Sequence, residues 1–239
     1  MPAPLVIDTV FFDAVGTVLE PSPPVRRAYL QAGRRHGHEA TEAEVGRLFK
    51  NAFAQEEARD RLQGLRTSEA RERERWWNIV TTTLPGIVSP EACYQELHAH
   101  FGFPDSWAVL PGVVELFSLL ADMGIRVGIA SNFDSRLHGI IRSKPEFDAI
   151  SHVVVSSEIG WRKPAEAFFH HLAKLAETPP RRILMVGDDP ENDVCGPQKI
   201  GMQAMLVNPS DPRPDAPDLQ SFAAMVRDGL IQPGSAPTV

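Results

Sequence analysis

Cysteine and long apolar runs are both scarce in this sequence. Its 239 residues include only two cysteines, Cys93 and Cys195, too few for a disulfide framework or a cysteine-based zinc site. Such sparing use of cysteine is typical of a reducing compartment. No apolar run approaches the roughly 20 residues that a transmembrane helix needs, and the segment Met1–Pro4 lacks the basic and apolar regions of a signal peptide. We therefore expect a cytoplasmic protein.

Positive charge is also in the minority. The 24 lysines and arginines face 31 aspartates and glutamates, so the net charge is -7. Nucleic acids and anionic membrane surfaces attract proteins through clustered positive charge, so we expect neither as a partner. A hydrophobic content of 43% and a charged content of 23% are ordinary for a globular protein. The length suits one large domain or two modest ones.

The stretch from Val10 to Leu19 organises the rest of the chain. Residues 10–12 form an apolar run that ends on Asp13, and Gly16 and Thr17 follow shortly after. An apolar run without alternation is typical of a strand covered on both faces, as in a parallel α/β sheet. An aspartate at its carboxyl end lies at the edge where such sheets bind ligands. The alternative is that Asp13 only caps a turn.

Two later predicted strands lead to polar residues that could bind an anion. Ser131 and Asn132 follow a strand predicted over 125–130 and precede a helix, a natural anion site, although either residue could instead be an N-cap. Lys163 follows a strand predicted over 152–156 and a short loop, and with the proline after it is predicted to start a helix over 163–175. A lysine at a helix start is electrostatically unfavourable, so a nearby phosphate or carboxylate is expected.

A fourth predicted strand, over 182–186, leads to the acidic segment that contains Asp188, Asp189 and Asp193. Carboxylates crowded at the end of a buried strand repel one another, and a divalent cation such as Mg²⁺ would relieve that repulsion. The alternative is a solvated acidic loop. In a doubly wound sheet all four strand ends share one edge, so we expect their side chains to meet in one crevice.

Between the first two of these strands the predicted secondary structure is helical. Four helices are predicted, over 25–37, 41–57, 67–84 and 89–101. A capping box at Thr41–Glu44 opens the second helix, and we expect Trp76 and Trp77 of the third to pack in a small core of their own. The predicted organisation is a core domain (1–20 and 108–210), a helical insert (21–107), and a C-terminal helix and tail (211–239) whose last few residues are disordered.

The four strand ends resemble, in order, the motifs of the haloacid dehalogenase-like hydrolase superfamily, over about Val10 to Val207. Asp13 with Gly16-Thr17 matches the nucleophile motif, Ser131 the hydroxyl motif, Lys163 the lysine motif and Gly187–Asp193 the acidic motif. The insert resembles the small helical cap of type C1. The wording Phe-Asp-Ala-Val-Gly-Thr and the tryptophan pair resemble the DREG-2-like branch of subfamily IA. The implied fold is α/β: a doubly wound, Rossmann-like parallel sheet with an inserted α-helical cap.

The resemblance implies a hydrolase mechanism with a role for each residue. Asp13 would attack phosphorus, and Lys163 would neutralise the charge. Phosphate oxygens would be bound by Thr17, Ser131, Asn132 and Lys163. Mg²⁺ would be held by Asp13, the backbone carbonyl of Val15 and Asp188. Asp189 and Asp193 would support the metal site or Lys163 without binding the metal themselves. The substrate would be a small phosphorylated metabolite, and the protein a monomer or homodimer.

One position departs from the family pattern. Phosphatases of the superfamily carry a second aspartate two residues after the nucleophile, and Val15, which stands there, cannot transfer a proton. Acid–base assistance is typically worth about 10²- to 10⁴-fold in rate. Three hypotheses stay open. The first is a metal-dependent phosphatase of modest activity in which water or a cap residue, with His36, His38 and Glu56 as candidates, substitutes for the aspartate. The second is another reaction of the superfamily, such as a phosphonatase in which Lys50 forms an imine. The third is a catalytically silent protein that binds phosphate or a partner.

Overall fold

The computed structural model describes residues 4–234, and nine β-strands occur in this part of the chain. The strands are β1 (Leu5–Ile7), β2 (Thr9–Phe12), β3 (Leu19–Pro21), β4 (Trp107–Val109), β5 (Arg126–Ser131), β6 (Ile150–Val155), β7 (Ile183–Gly187), β8 (Gln203–Leu206) and β9 (Ile231–Pro233).

Ten α-helical segments accompany these strands within residues 4–234. They are α1 (Val25–Arg35), α2 (Glu42–Leu62), α3 (Glu69–Thr83), α4 (Pro90–His100), α5 (Val113–Asp122), α6 (Arg136–Arg142), α7 (Ser156–Ile159), α8 (Glu166–Leu175), α9 (Gly196–Gln198) and α10 (Leu219–Arg227). A π-helical segment over Pro190–Cys195 precedes α9. None of the described helices is both long enough and apolar enough to span a bilayer.

Five of the strands form one parallel sheet in the order β6-β5-β2-β7-β8. The central strand β2 is buried along its whole length, as its unbroken apolar sequence predicts. One face of the sheet packs on α5 and α10 through residues such as Phe117 and Phe222. The other face packs on α8 through Phe168 and Phe169. The predicted α/β fold with helices on both faces of a parallel sheet is confirmed.

Helices α1–α4, here called the cap helices, enclose a separate apolar cluster that includes Tyr29 and Ile79. Thr41 is the N-cap of α2, where its hydroxyl accepts a hydrogen bond of 3.2 Å from the N–H of Glu44, as predicted. Helix α2 continues to Leu62, beyond the predicted end at 57. Its apolar spacing stops before this end because the last turns bury charged side chains such as Asp60.

Two strand pairs were not predicted. The antiparallel pair β3–β4 joins the segments that enter and leave the cap helices, and the predicted boundaries at 20/21 and 107/108 fall within it. The parallel pair β1–β9 and the packing of α10 on α5 attach the predicted tail to the core. Each of these strands has three residues, too few for a periodic pattern. The predicted disorder at the extreme C-terminus concerns residues 235–239, outside the described residues.

Candidate active site

The carboxyl ends of the central strands bring the predicted polar residues together around Lys163. The amine Nζ of Lys163 lies 2.7 Å from Asp13 Oδ1 and 2.6 Å from Asp193 Oδ1, and all three side chains are buried. Burial alone would lower the pKa of Lys163, but the two carboxylates outweigh it and raise the pKa above the usual range. Lys163 is therefore a fixed positive charge beside Asp13, the predicted nucleophile.

Three carboxylates lie close enough to share one cation. Asp13, Asp188 and Asp193 each offer one oxygen, and these oxygens all lie within 4.8 Å of one another. Burial, followed by repulsion from Asp13 and Asp193, raises the pKa of Asp188 to about 7. Burial also raises the pKa of Asp193, to about 6, although Lys163 opposes this. These hard oxygen donors fit Mg²⁺. The predicted contribution of the Val15 carbonyl stays a prediction.

Two glycines allow the backbone to approach these carboxylates. Gly16 has a φ of +90°, which only glycine adopts readily, and a Cβ there would lie 2.5 Å from Asp188 Oδ2. A Cβ on Gly187 would overlap the Asp193 carboxylate. Both positions therefore require glycine if the carboxylates are to converge.

Two residues predicted to bind phosphate have other partners in the structure. The buried Thr17 hydroxyl donates to Asp188 Oδ1 at 3.0 Å, so it orients this carboxylate. The Asn132 amide holds the backbone of Lys163: Oδ1 accepts from its N–H at 2.7 Å, and Nδ2 donates to its carbonyl at 3.0 Å. Because these bonds occupy both amide atoms, the side chain positions Lys163 and retains only one free N–H for a ligand.

Asp189 supports the carboxylate cluster through its backbone, whereas the predicted start of α8 needs correction. The N–H of Asp189 donates to Asp193 Oδ2 at 3.1 Å, while its own Oδ1 accepts hydrogen bonds from the backbone N–H groups of Glu191 and Asn192 and caps the following helical segment. Helix α8 begins at Glu166 and not at Lys163. The Asn132 amide bonds keep Lys163 in a turn before the helix.

A cavity of about 500 Å³, here called the active-site cavity, lies between the core and the cap helices. Its core side includes Asp13, Ser131 and Lys163, and its cap side includes Lys50 and Trp76. Ser131 closes β5 and is buried. The Trp77 ring packs edge-on against Tyr94, as the prediction of a packing role requires, whereas Trp76 also faces the cavity.

A group of buried charges along this cavity was not predicted from the sequence. Arg162, which is 4% exposed, forms an ion pair with Glu72 of α3 and lies 3.5 Å from Asp60 of α2. Arg75, which is 1% exposed, pairs with the same Asp60 and with Glu57. These residues, here called the buried charge cluster, link the cap helices to the residue next to Lys163. The sequence Arg162-Lys163-Pro164 and the many charged residues of α2 and α3 are the features from which this cluster could have been predicted.

Backbone pairing strengthens this connection. Arg66 and Trp161 form an antiparallel bridge. The N–H of Arg162 donates to the carbonyl of Leu65 at 3.0 Å, and the N–H of Thr67 donates to that of Gly160 at 3.2 Å. The segment that carries Lys163 is thus attached to the link between α2 and α3.

The three residues proposed to replace the missing aspartate do not line the active-site cavity. His36 pairs with Glu96 at 3.0 Å, and His38 Nδ1 lies 2.9 Å from the carbonyl of Pro85. The buried Glu56 pairs with Arg71 at 2.6 Å. All three belong to the packing of the cap helices, so this set of substitutes is wrong.

Comparison with known proteins gives the same family as the motifs. Residues 7–201 match the family of haloacid dehalogenase-like hydrolases. The human haloacid dehalogenase-like hydrolase domain-containing protein 3 is 29% identical over 209 residues, or 85% of this chain and 82% of the human protein. A ribulose-1,5-bisphosphate 5-phosphatase from Halopiger xanaduensis is 26% identical over 124 residues, or 52% of each chain.

Among solved structures, a putative hydrolase of this superfamily from Bacillus subtilis, bound to magnesium, superimposes with a TM-score of 0.72. It shares 17% identity, over 95% of this chain and 100% of that one, a likeness that concerns the fold alone. The sequence match over residues 7–201, together with the converging strand ends, identifies this chain as a member of the haloacid dehalogenase-like hydrolase family, in the branch of domain-containing protein 3.

Proposed function

We propose that this protein is a Mg²⁺-dependent phosphatase that hydrolyses a small phosphate monoester through an aspartyl-phosphate on Asp13. The observation that carries the proposal is the placement of the Lys163 amine between Asp13 and Asp193, at 2.7 and 2.6 Å. The phosphatase from Halopiger xanaduensis, as a relative that acts on a sugar phosphate by name, supports this reaction class.

The first step forms a bond between an Asp13 carboxylate oxygen and phosphorus, and breaks the bond to the ester oxygen. Lys163, held by the Asn132 amide, offsets the negative charge on Asp13 and on the phosphoryl group. Ser131, at the end of β5 in the same cavity, is placed to donate a hydrogen bond to a phosphoryl oxygen. In the second step water attacks the aspartyl-phosphate, which releases phosphate and restores the Asp13 carboxylate.

Mg²⁺ would be held by Asp13 and Asp188, with Asp193 beside them, and when bound it would neutralise charge on the phosphoryl group. Thr17 orients Asp188 for this task through its hydrogen bond. The close approach of the three carboxylates favours a bound cation, because the cation would relieve the repulsion from Asp13 and Asp193 that helps to raise the pKa of Asp188.

The other hypotheses have less support. Lysines that form imines are typically activated in an apolar pocket or beside another cation, whereas Lys50 is exposed in a cavity lined by several carboxylates. A haloacid dehalogenase needs no metal, so three converging carboxylates argue against that reaction. A catalytically silent protein that binds phosphate could also use Lys163, but the Asp13 carboxylate 2.7 Å from its amine would repel the anion, whereas a nucleophile has to stand there.

The test measures Mg²⁺-dependent release of phosphate from p-nitrophenyl phosphate, together with the mass of acid-quenched protein. We expect turnover and a phosphoryl adduct on Asp13 in the wild type, and loss of both in Asp13→Asn. The matched control is Asp122→Asn, the same exchange at the exposed end of α5, which keeps both. A wild type that forms no adduct and releases no phosphate with or without Mg²⁺ would refute the proposal.

A further inference from the structure

A second cavity lies inside the cap helices, next to the active-site cavity. Its volume is about 220 Å³, and its wall is largely aromatic. It includes Tyr29, Phe49, Trp76, Phe101, Trp107 and Phe133. Apolar cavities of about 150 Å³ accept a benzene ring, so this cavity, here called the cap cavity, has room for a substituted or fused aromatic ring.

The two cavities share a wall. Val15, Phe53, Trp76 and Asn132 line both of them. Val15 stands two residues after Asp13, and Asn132 holds the backbone of Lys163. The two cavities are therefore adjacent, and a phosphate monoester with its phosphoryl group at Asp13 that extends its organic group past Val15 would reach the cap cavity.

The cap cavity is lined by few charged groups. Among its described lining residues, Arg136 alone carries a fixed charge, and the Asp134 carboxylate already binds its guanidinium at 2.7 and 2.8 Å. Burial lowers the pKa of His98, which keeps that imidazole neutral. A charged organic group would lose its hydration here without gaining a partner, whereas the active-site cavity is lined by many charged side chains.

One polar atom in the wall lacks a partner. The Tyr94 hydroxyl is buried and forms no hydrogen bond with any described residue. Burial raises the pKa of Tyr94, so the group stays a neutral phenol that can donate or accept one hydrogen bond. A single hydroxyl or carbonyl on an otherwise apolar ligand would satisfy it.

Val15 also restricts which ester oxygen can leave. With no proton donor at this position, the ester oxygen must leave as an anion and take its proton from water afterwards. Phenols ionise near pH 10, whereas water, and alkyl alcohols with it, ionise near a pKa of about 15.7. An aromatic ester therefore loses far less than an alkyl ester from the absence of an acid.

From the apolar cap cavity and the absence of a proton donor at Val15, and resting on the proposed phosphatase function, we propose that the substrates are phosphate monoesters of uncharged phenols, whose ring occupies the cap cavity. Asp13 forms a bond to phosphorus as the bond from phosphorus to the phenolic oxygen breaks. The phenolate departs with that electron pair and is protonated by water. Water then hydrolyses the aspartyl-phosphate.

The first experiment compares 2-naphthyl phosphate with 4-carboxyphenyl phosphate in the wild-type protein with Mg²⁺. Both release a phenolic oxygen, but only the naphthyl group is uncharged. We expect kcat/KM for the naphthyl ester to be higher by about 100-fold, since the cavity would have to desolvate the carboxylate without pairing it. 2-Naphthol should also inhibit more strongly than 4-hydroxybenzoate, a measurement that needs no variant.

The second experiment fills the cavity. Val80 lines it and is buried on α3, so Val80→Phe should lower the ratio of naphthyl phosphate to acetyl phosphate hydrolysis about tenfold. Val114→Phe, the same exchange at an exposed position of α5, should leave this ratio unchanged. If Val80→Phe does not fold, Tyr94→Phe tests the same cavity with almost no change in shape and should weaken inhibition by naphthol.

The outcomes separate the two proposals. Equal rates for naphthyl and carboxyphenyl esters, with turnover that depends on Asp13, would overturn the proposal that the cap cavity selects uncharged aromatic rings and would leave the phosphatase function intact. No turnover of any ester that depends on Asp13 would overturn the phosphatase function itself.

Discussion

At the scale of single residues, Val15 decides how the proposed reaction divides into steps. It offers neither an acid for the leaving group nor a base for the water that attacks the aspartyl-phosphate. An aromatic ester needs no acid in the first step, so the second step, hydrolysis of the aspartyl-phosphate, limits turnover. We expect a burst of about one phenol per protein, followed by a slow steady rate, as measured by rapid mixing with p-nitrophenyl phosphate.

Val15→Asp supplies the missing carboxyl group. We expect it to raise the steady rate by about 10²- to 10⁴-fold and to remove the burst, because hydrolysis of the aspartyl-phosphate then gains a base. Val15→Asn, of the same size but unable to transfer a proton at neutral pH, is the control and should show neither effect. An equal gain in both variants would mean that the gain comes from a polar side chain at residue 15 and not from proton transfer.

The raised pKa values of Asp188 and Asp193 predict how Mg²⁺ binding depends on pH. In the metal-free protein these values are about 7 and about 6, above those of free carboxyl groups. Protonation therefore stabilises the metal-free fold: this stabilisation is full below the pKa of a free carboxyl group, about 4, and is lost progressively as the pH rises to about 7. Mg²⁺ binds the ionised form, so its effect on Tm should be small at pH 5.5 and large at pH 8.

Thermal unfolding with and without Mg²⁺ at both pH values measures this difference. Asp188→Asn, which cannot ionise, should show a small Mg²⁺ effect at either pH. A wild-type shift that is the same at both pH values would contradict the assignment of the cation to these carboxylates.

Sequence reasoning at this scale found the residues but not all of their partners. The convergence of Asp13, Ser131, Lys163, Asp188 and Asp193 follows from strand ends that share an edge. The bonds of Thr17, Asn132 and Asp189 depend on which way side chains point within a turn, and the spacing of residues along the chain does not specify that.

At the scale of elements, the buried charge cluster attaches α2 and α3 to the segment that carries Lys163. Arg162→Met would leave Glu72 and Asp60 without this partner inside the protein. We expect the free energy of unfolding to fall by about 3 to 5 kcal/mol, as measured by urea denaturation. Arg162→Met combined with Glu72→Gln should recover part of the loss.

The control for this prediction is an exposed pair between the same two parts of the molecule. Arg61 of α2 lies 2.6 Å from Glu191, and both side chains are about half exposed. Arg61→Met should cost less than about 1 kcal/mol. Equal losses in the two single variants would show that burial does not set the strength of these contacts.

Long elements were more predictable than short ones. Periodic apolar residues and N-caps such as Thr41 predict the cap helices, and unbroken apolar runs predict strands of the sheet. The pairs β1–β9 and β3–β4 depend on contacts between distant segments. The start of α8 was misjudged because the side chain that holds Lys163 in a turn comes from residue 132.

At the scale of the whole molecule, the cap helices and the core should unfold together. Release of the cap helices would leave Arg162 without its partners Glu72 and Asp60 and expose the aromatic cavity. Trp76 and Trp77 lie in the cap helices and Trp161 in the core, so tryptophan fluorescence reports on both. We expect urea midpoints from fluorescence and from far-ultraviolet circular dichroism to coincide.

Arg162→Met should separate these midpoints, since it removes buried ion pairs between the two parts. Two distinct transitions in the wild type would contradict the prediction and make the cap helices an independently stable unit.

The pairing of β3 with β4 has a consequence for the origin of this architecture. The chain leaves the core along Leu19–Pro21 and returns beside it along Trp107–Val109, so the whole intervening segment is topologically a single long hairpin loop. An ancestral gene with a short turn at this point could have acquired the helices in one insertion, with no rearrangement of the sheet. Insertions of different content at the same turn would give enzymes that share a phosphate chemistry and differ in the compounds they admit.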